Sequence, residues 1–217
     1  MWTLYSNVGD AAVTLPVATV CAIWIAKTDL RLALRWVVTL GCGMLLVGAT
    51  KILYYSYGVS IPFAHFRVIS GHTTLSTAVW AVAIALQLRW WRQPAFPGIV
   101  AGLLLGALTG ASRVHGHSHS ISEVTLGWIV GTIAAVSFLR VALRMPLQPF
   151  QPFLPVWSTL SLIAVAVLTY GHTAPFQDLI EEKSVTLREH TPRLACVLSR
   201  GRIPLHIRGI EGGRGPH

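Results

Sequence analysis

The sequence predicts an all-α protein, a polytopic membrane helical bundle with about six transmembrane helices. Two observations lead to this fold class. Hydrophobic residues make up 53% of the 217 residues and charged residues only 12%, whereas soluble domains carry about 25% charged residues. The hydrophobic residues also fall into six blocks of roughly the length that crosses a bilayer, about 17 to 25 residues.

The six blocks follow one another along residues 1–170, which we expect to form one membrane domain. Trp and Tyr cluster at block edges, as in "RWWRQPAFPG" and "KILYYSYG", which is typical of the membrane–water interface. No basic segment precedes the first block, which argues against a cleaved signal peptide. Residues 171–217 have no apolar period, and we expect a poorly ordered C-terminal tail. The blocks cover residues 11–26, 35–55, 70–88, 97–112, 121–139 and 154–170.

The charges between the blocks predict how the helices are oriented. Seven Lys and Arg residues lie in segments 27–35, 89–97 and 140–153, which favours a cytoplasmic location for these segments. The 56–69 and 113–120 loops then face the extracytoplasmic side of a bacterial-type inner or plasma membrane. Topology signals and the basic tail account for most of the net charge of +9, so the charge does not indicate a nucleic-acid-binding face.

Under this topology, polar residues from four predicted helices meet at the extracytoplasmic face. Ionisable groups within membrane helices are energetically costly and usually functional. Their convergence at one depth therefore predicts a functional site. The residues concerned are Lys51, Ser70, Gly71, His72, Arg113, His119 and Glu123.

The stretch "ISGHTTLS", residues 69–76, begins one of these helices. Ser70 is placed to cap the helix, which is an ordinary structural role. The first N–H groups of a helix are also a ready site for a phosphate, and Gly71 has no side chain to obstruct its approach. Both interpretations of this stretch are open from the sequence.

The stretch "ASRVHGHSHSISE", residues 111–123, collects histidines beside an arginine and a glutamate. His119 and Glu123 are four residues apart, so they share one face if a helix begins near Ser118. A carboxylate beside an imidazole fixes its tautomer and supports the cation that forms during reaction. "SISE" also predicts a capping box, which is compatible with that role. Arg113 is close enough in sequence to bind a phosphate that His119 attacks, and a planar guanidinium suits that contact.

The alternating histidines of "HGHSH" allow a second interpretation. Imidazoles of His115, His117 and His119 could bind zinc or copper, although alternating residues of an extended loop point to opposite sides. The three cysteines add no ligand to this loop and indicate no disulfide framework. The alternative function is a non-catalytic membrane protein that binds or transports a metal or an anion.

The same stretches resemble the motifs of the type 2 phosphatidic acid phosphatase (PAP2) family, within the vanadium haloperoxidase-like acid phosphatase superfamily. "SRVHGHSHSISE" is similar to the third family motif, S-R-x5-H-x3-D, and "ISGH" is similar to the second, P-S-G-H. Lys51 lies where the first motif, K-x6-R-P, would begin. The resemblance covers residues 51–123, and it implies the helical bundle of that family.

The resemblance implies hydrolysis of a lipid phosphate or diphosphate without a metal or other cofactor. Candidate substrates are a polyprenyl diphosphate, phosphatidylglycerol phosphate and phosphatidate, and the expected partners are this substrate and membrane lipids. His119 would be the nucleophile that forms a phosphohistidine, Glu123 would orient it, and His72 would be the general acid. The phosphate would be bound by Lys51, Arg113, Ser70 and Gly71.

Three positions depart from the family motifs. Ile69 replaces the proline of the second motif, and Glu123 replaces the aspartate of the third with one additional methylene. Gly58 stands where the first motif has its arginine, so one phosphate ligand is missing from its expected place. Arg67, three residues before Ser70, is a candidate to replace that ligand. Without a replacement, the chain would be a degenerate or inactive relative of the family.

Overall fold

A computed structural model describes residues 2–57, 65–145 and 153–171. These residues form seven α-helices, which confirms the predicted all-α class. Gly58 and the predicted tail beyond residue 171 lie outside the described residues. The helices are α1 (Trp2–Val8), α2 (Ala11–Ala26), α3 (Leu30–Tyr57), α4 (Gly71–Trp90), α5 (Phe96–His115), α6 (Ile121–Ala142) and α7 (Phe153–Thr169).

Helices α2 to α7 correspond to the six predicted blocks. The largest difference is at the start of α3, which begins at Leu30 rather than at residue 35. Asp29 explains this early start, because its Oδ1 accepts hydrogen bonds from the N–H groups of Arg31 (2.8 Å) and Leu32 (3.1 Å). The sequence did not predict α1, whose seven residues are too few to produce a periodic signal.

The helices are those of an integral membrane protein. Among the described residues, four helical segments are long and apolar enough to cross a membrane, and α7 is a shorter apolar helix. These segments are Tyr5–Ala26, Leu30–Ser56, Phe96–His115 and Ile121–Ala142.

Helix α4 has a different composition because it lies at the centre of the bundle. It contacts α2, α3, α5, α6 and α7, so little of its surface is left for lipid. Its buried residues include four hydroxyl side chains in the first two turns, which hydrogen-bond within the bundle. Thr77, for example, donates to the carbonyl of Thr73 (2.6 Å), and Ser76 shares a hydrogen bond with Thr109 of α5 (2.9 Å).

Glycines bring α5 and α6 close to α4. A Cβ atom added at Gly102 of α5 would lie 2.1 Å from the backbone nitrogen of Ala81, and one added at Gly131 of α6 would lie 2.6 Å from the carbonyl oxygen of Thr74. Small residues at such crossings allow membrane helices to pack closely. This packing places the C-terminal end of α5 and the N-terminal end of α6 beside the N-terminal end of α4.

The opposite end of the bundle is closed by separate contacts. Arg89, in the last turn of α4, donates to the carbonyl oxygens of Leu143 (3.1 Å) and Met145 (2.5 Å) after α6. Gln87 donates to the carbonyl of Pro155 in α7 (3.0 Å). The bundle therefore has two distinct ends, and the candidate site lies at the one that holds the start of α4.

Candidate active site

A cavity of about 260 Å³ lies where α3 ends, α5 ends and α6 begins. Five of the predicted site residues line it, and three of these carry a cationic side chain. Two tyrosines that the sequence analysis did not single out also line it. The lining residues are Lys51, Tyr54, Tyr55, Arg67, Val68, Arg113, Ser118, His119 and Glu123.

Glu123 lies wholly buried at the base of α6 and binds His119. Its Oε2 atom accepts a hydrogen bond from His119 Nδ1 (2.8 Å) and a second from the N–H of Ser120 (3.2 Å). The Oγ atom of Ser120 accepts in turn from the N–H of Glu123 (3.3 Å), which completes the predicted capping box. The local sequence thus holds both the start of the helix and the imidazole.

The other oxygen of Glu123 orders the segment before α4. Its Oε1 atom accepts from the N–H groups of Arg67 (2.9 Å) and Val68 (3.4 Å), and it lies 3.5 Å from Arg67 Nε. Burial acts to lower the pKa of Arg67, but its hydrogen bond with Tyr54 and the charge of Glu123 raise that pKa overall. Arg67 is therefore fixed as a cation in the wall of the cavity.

The imidazole of His119 is only 10% exposed. Burial lowers its pKa below the ordinary histidine value, although the hydrogen bond and the charge of Glu123 act to raise it. The positive charges of Arg113 and Lys51 lower it further. The lowered pKa favours the neutral ring, and a neutral ring that donates its Nδ1–H to Glu123 carries its lone pair on Nε2.

Arg113 projects from the last turn of α5 and is mostly buried. Its Nη1 atom donates to Ser6 Oγ of α1 (3.3 Å). Its buried Nε atom has no hydrogen-bond partner among the residues that the structure describes. A buried guanidinium N–H without a partner is costly, so it is a position where an anionic ligand would be bound favourably.

Ser70, Gly71 and His72, from the start of α4, are not among the residues that line this cavity. Ser70 occupies the N-cap position of α4, yet its side chain does not cap the helix. Its fully buried Oγ shares a hydrogen bond with the hydroxyl of Thr73 instead (3.0 Å), and its N–H donates to the carbonyl of Glu123 (3.2 Å). Ser70 therefore joins the starts of α4 and α6 to each other.

His72, in the first turn of α4, contacts a residue that the sequence analysis passed over. Its Nε2 atom lies 3.2 Å from Oδ2 of Asp10, the N-cap residue of α2. The two residues are 62 positions apart in sequence, so no local spacing indicates the pair. The sequence feature that could have indicated a role for Asp10 is its position as a single acidic residue directly before the first apolar block.

The alternating histidines do not assemble a metal site in the described part of the chain. No group of three or more His, Cys, Asp or Glu side chains lies close enough there to hold a metal ion. His117 is exposed and has a left-handed backbone (φ 53°), which turns the loop between α5 and α6. Only His119 of the three histidines lines the cavity.

Comparison with known proteins finds a matching family and one similar protein. A family model described as the PAP2 superfamily matches residues 54–146, which contain "ISGH" and "SRVHGHSHSISE" and begin three residues after Lys51. An "Uncharacterized 22.5 kDa protein in cps region" from Klebsiella pneumoniae is 31% identical over 185 residues. These residues cover 82% of this chain and 88% of the relative. No solved structure matches the chain significantly.

Proposed function

The chain belongs to the PAP2 superfamily, and we propose that it hydrolyses a lipid phosphate or diphosphate through a phosphohistidine at His119. Its family and its apolar helices are those of a membrane phosphatase. One observation carries the finer proposal: the His119–Glu123 pair lines a cavity together with Lys51, Arg67 and Arg113. A nucleophile with its orienting carboxylate and a set of cations is what metal-free phosphoryl transfer requires.

The first chemical step is attack by His119 Nε2 on phosphorus. The N–P bond forms while the P–O bond to the leaving group breaks, and His72 gives a proton to the departing oxygen. Glu123, bonded to Nδ1 at 2.8 Å, stabilises the positive charge that develops on the ring. A water molecule then attacks the phosphohistidine: the new O–P bond forms as the N–P bond breaks, His72 takes the proton of the water, and inorganic phosphate leaves with His119 restored.

The cations of the cavity would bind the oxygens of the transferred phosphoryl group. Arg113 offers a buried Nε–H that has no partner among the described residues. Arg67 lines the same cavity as Lys51. This supports Arg67 as the replacement for the arginine of the first motif, whose position is occupied by Gly58. Such charges stabilise the transition state most strongly when they are fixed beforehand, as Glu123 and Tyr54 fix Arg67.

A second, more apolar cavity supports a substrate with a hydrocarbon tail. It has a volume of about 190 Å³ and opens on the outside of the bundle between α4, α5 and α6. Thr73 and Val124, which line it, are the immediate neighbours of His72 and Glu123 in sequence. The other lining residues are Ala107, Gly110, Ala111, Thr125 and Trp128. A lipid held here would keep its tail in the membrane while its head group reaches the cations.

The test is phosphate release by the detergent-purified protein from a panel of lipid phosphates and diphosphates, with a metal chelator present. We expect the wild type to release phosphate and His119→Ala to lose at least about 10³-fold of the rate. His117→Asn is the matched control, because the residue is exposed in the same loop and asparagine tolerates a left-handed backbone. Absence of release by the wild type, or equal release by His119→Ala, would contradict the proposal.

A further inference from the structure

We infer that Asp10 is a positioning residue for His72, the general acid of the proposed reaction. The inference rests on the proposed function, since it assigns a partner to one of its residues. His72 Nε2 and Asp10 Oδ2 are 3.2 Å apart, and their side chains are only 24% and 14% exposed. The pair therefore lies mostly out of contact with solvent, where a carboxylate holds an imidazole more firmly than it does in water.

The carboxylate of Asp10 is itself held in place. Its Oδ1 atom accepts from the N–H of Ala12 (2.8 Å), which is the N-cap bond of α2, and this leaves Oδ2 for His72. The backbone carbonyl of Asp10 also accepts from Thr14 through its N–H (2.9 Å) and its hydroxyl (2.8 Å). Both carboxylate oxygens thus have defined partners, and the side chain has little freedom to turn.

The corner between α1 and α2 is anchored to the helices that carry the site. Trp80 of α4 donates through its indole N–H to the carbonyl of Val8 (3.1 Å), and Thr109 of α5 donates to the carbonyl of Tyr5 (3.3 Å). Gly9 packs so closely that an added Cβ would lie 2.3 Å from Thr109 Cγ2. These contacts fix the position of Asp10 relative to the first turn of α4.

The contact determines which nitrogen of His72 can give up a proton. A ring that donates from Nε2 to a carboxylate exchanges its other proton at Nδ1. When the leaving oxygen takes that proton, the Nδ1–H bond breaks, its electron pair returns to the ring, and the Nε2–H bond to Asp10 is kept. The two proposed catalytic histidines then bind their carboxylates through opposite nitrogens: Glu123 binds Nδ1 of His119, and Asp10 binds Nε2 of His72.

The test uses two phosphate esters with similar tails and different leaving groups, octyl phosphate and p-octylphenyl phosphate. The alkoxide is a poor leaving group that needs a proton, whereas the phenoxide leaves more easily without one. In Asp10→Asn we expect kcat for octyl phosphate to fall about tenfold or more, KM to change little, and kcat for the aryl ester to fall less than about threefold. Asparagine still caps α2, so the melting temperature should be retained.

Asp29→Asn is the matched control. Asp29 caps α3, as Asp10 caps α2, but it follows the C-terminal end of α2, whereas Asp10 precedes the N-terminal end. Asp29→Asn should leave the ratio of the two kcat values unchanged. Equal losses on both esters in Asp10→Asn, or no loss on octyl phosphate, would overturn the role of Asp10. Release of phosphate from neither ester by the wild type would instead overturn the proposed function, and this inference with it.

Discussion

At the residue scale, Glu123 is the side chain on which the candidate site depends. Its two oxygens bind the imidazole of the proposed nucleophile His119, the cap of α6 and the segment that carries Arg67. Glu123 is one methylene longer than the aspartate of the family motif, and its buried carboxylate spans from Ser120 to Arg67. Removing it would leave several buried donors without an acceptor, which is more costly than the loss of a single hydrogen bond.

The activity of Glu123 variants should therefore depend on whether the new side chain keeps the negative charge and the length of glutamate. We expect Glu123→Gln to lower kcat/KM by about 10²-fold or more, because an amide supports the developing imidazolium poorly and turns an N–H₂ toward other donors. Glu123→Asp keeps the charge and should lose less. Steady-state kinetics on one lipid phosphate measures the ranking. A Glu123→Gln variant as active as Glu123→Asp would show that the charge is not needed.

The pH dependence of the reaction follows from the burial of His119. Its pKa is lowered, and attack requires the neutral ring, so activity should persist as the pH falls below the ordinary histidine value of about 6.5. Substrate phosphates also titrate near pH 6, and this would overlap with the titration of the enzyme. The pH profiles of kcat/KM are therefore measured for two substrates whose phosphate groups have different pKa values. The acid limb common to both belongs to the enzyme. A common limb above about pH 7 would contradict the assignment.

Contacts between residues that are close in sequence could be predicted, whereas contacts between distant residues could not. The predicted contact between His119 and Glu123 is present, but the predicted reason is wrong: α6 begins at Ile121 and not near Ser118, so His119 precedes the helix. The two residues meet because Glu123 reaches back over the N-cap of its own helix. His72 and Asp10 are brought together by the packing of α2 on α4, which no local pattern encodes. The position of Ser70 at the N-cap was predictable, but the preference of its hydroxyl for Thr73 was not, because that choice depends on the buried surroundings.

At the element scale, the crossing of α4 and α5 depends on glycine. Gly98, Gly102 and Gly106 recur every four residues on one face of α5 and meet α4, where an added Cβ would lie within 2.8 Å of neighbouring atoms. At Gly98 and Gly102 those atoms belong to the backbone of α4, so a side-chain movement cannot relieve the overlap. The two helices would have to separate, and separation would move Arg113 away from the start of α4.

Gly102→Val should therefore destabilise the protein by at least about 1–3 kcal/mol and lower its melting temperature in detergent. Gly41→Ala is the control, because no atom of the residues that the structure describes lies within 4 Å of an added Cβ at this position in the middle of α3. That substitution should be neutral or slightly stabilising, since alanine favours helix over glycine by up to about 1 kcal/mol. Thermal unfolding of both variants tests the crossing; a Gly102→Val protein as stable as the wild type would contradict it.

Hydrophobic blocks predict the helices well because each one needs a continuous apolar segment to cross a bilayer. The predicted and observed bounds of α2 agree, and those of α4 to α7 differ by three residues or fewer. Sequence blocks do not reveal which helix is central. The central position of α4 is seen from its buried hydroxyl residues, and their burial is known only from the three-dimensional packing.

At the scale of the whole molecule, the proposed function requires the cavity to face one side of the membrane. The loop charges predict the extracytoplasmic side for the loop that contains His117 and the cytoplasmic side for the loop that contains Gln93. Both residues are exposed in the structure. They are joined to opposite ends of α5, so they report on opposite ends of the bundle.

Single cysteines at these two positions measure the orientation, in a background in which Cys21, Cys42 and Cys196 are replaced. In intact cells, a membrane-impermeant maleimide should label His117→Cys and leave Gln93→Cys unlabelled until the membrane is opened. The reverse pattern would place the cavity on the cytoplasmic side. The orientation stays a prediction of the loop charges, since the packing of the helices is the same either way up.

Trapping a phosphohistidine at His119 tests the proposed function most directly. The purified protein is mixed with a ³²P-labelled lipid phosphate in the presence of chelator, quenched with alkali within the first turnover, and digested. We predict an acid-labile, alkali-stable label on the peptide that contains His119, and none in His119→Ala. Phosphate release by the wild type with no label at any quench time, or with the label on another residue, would contradict the account.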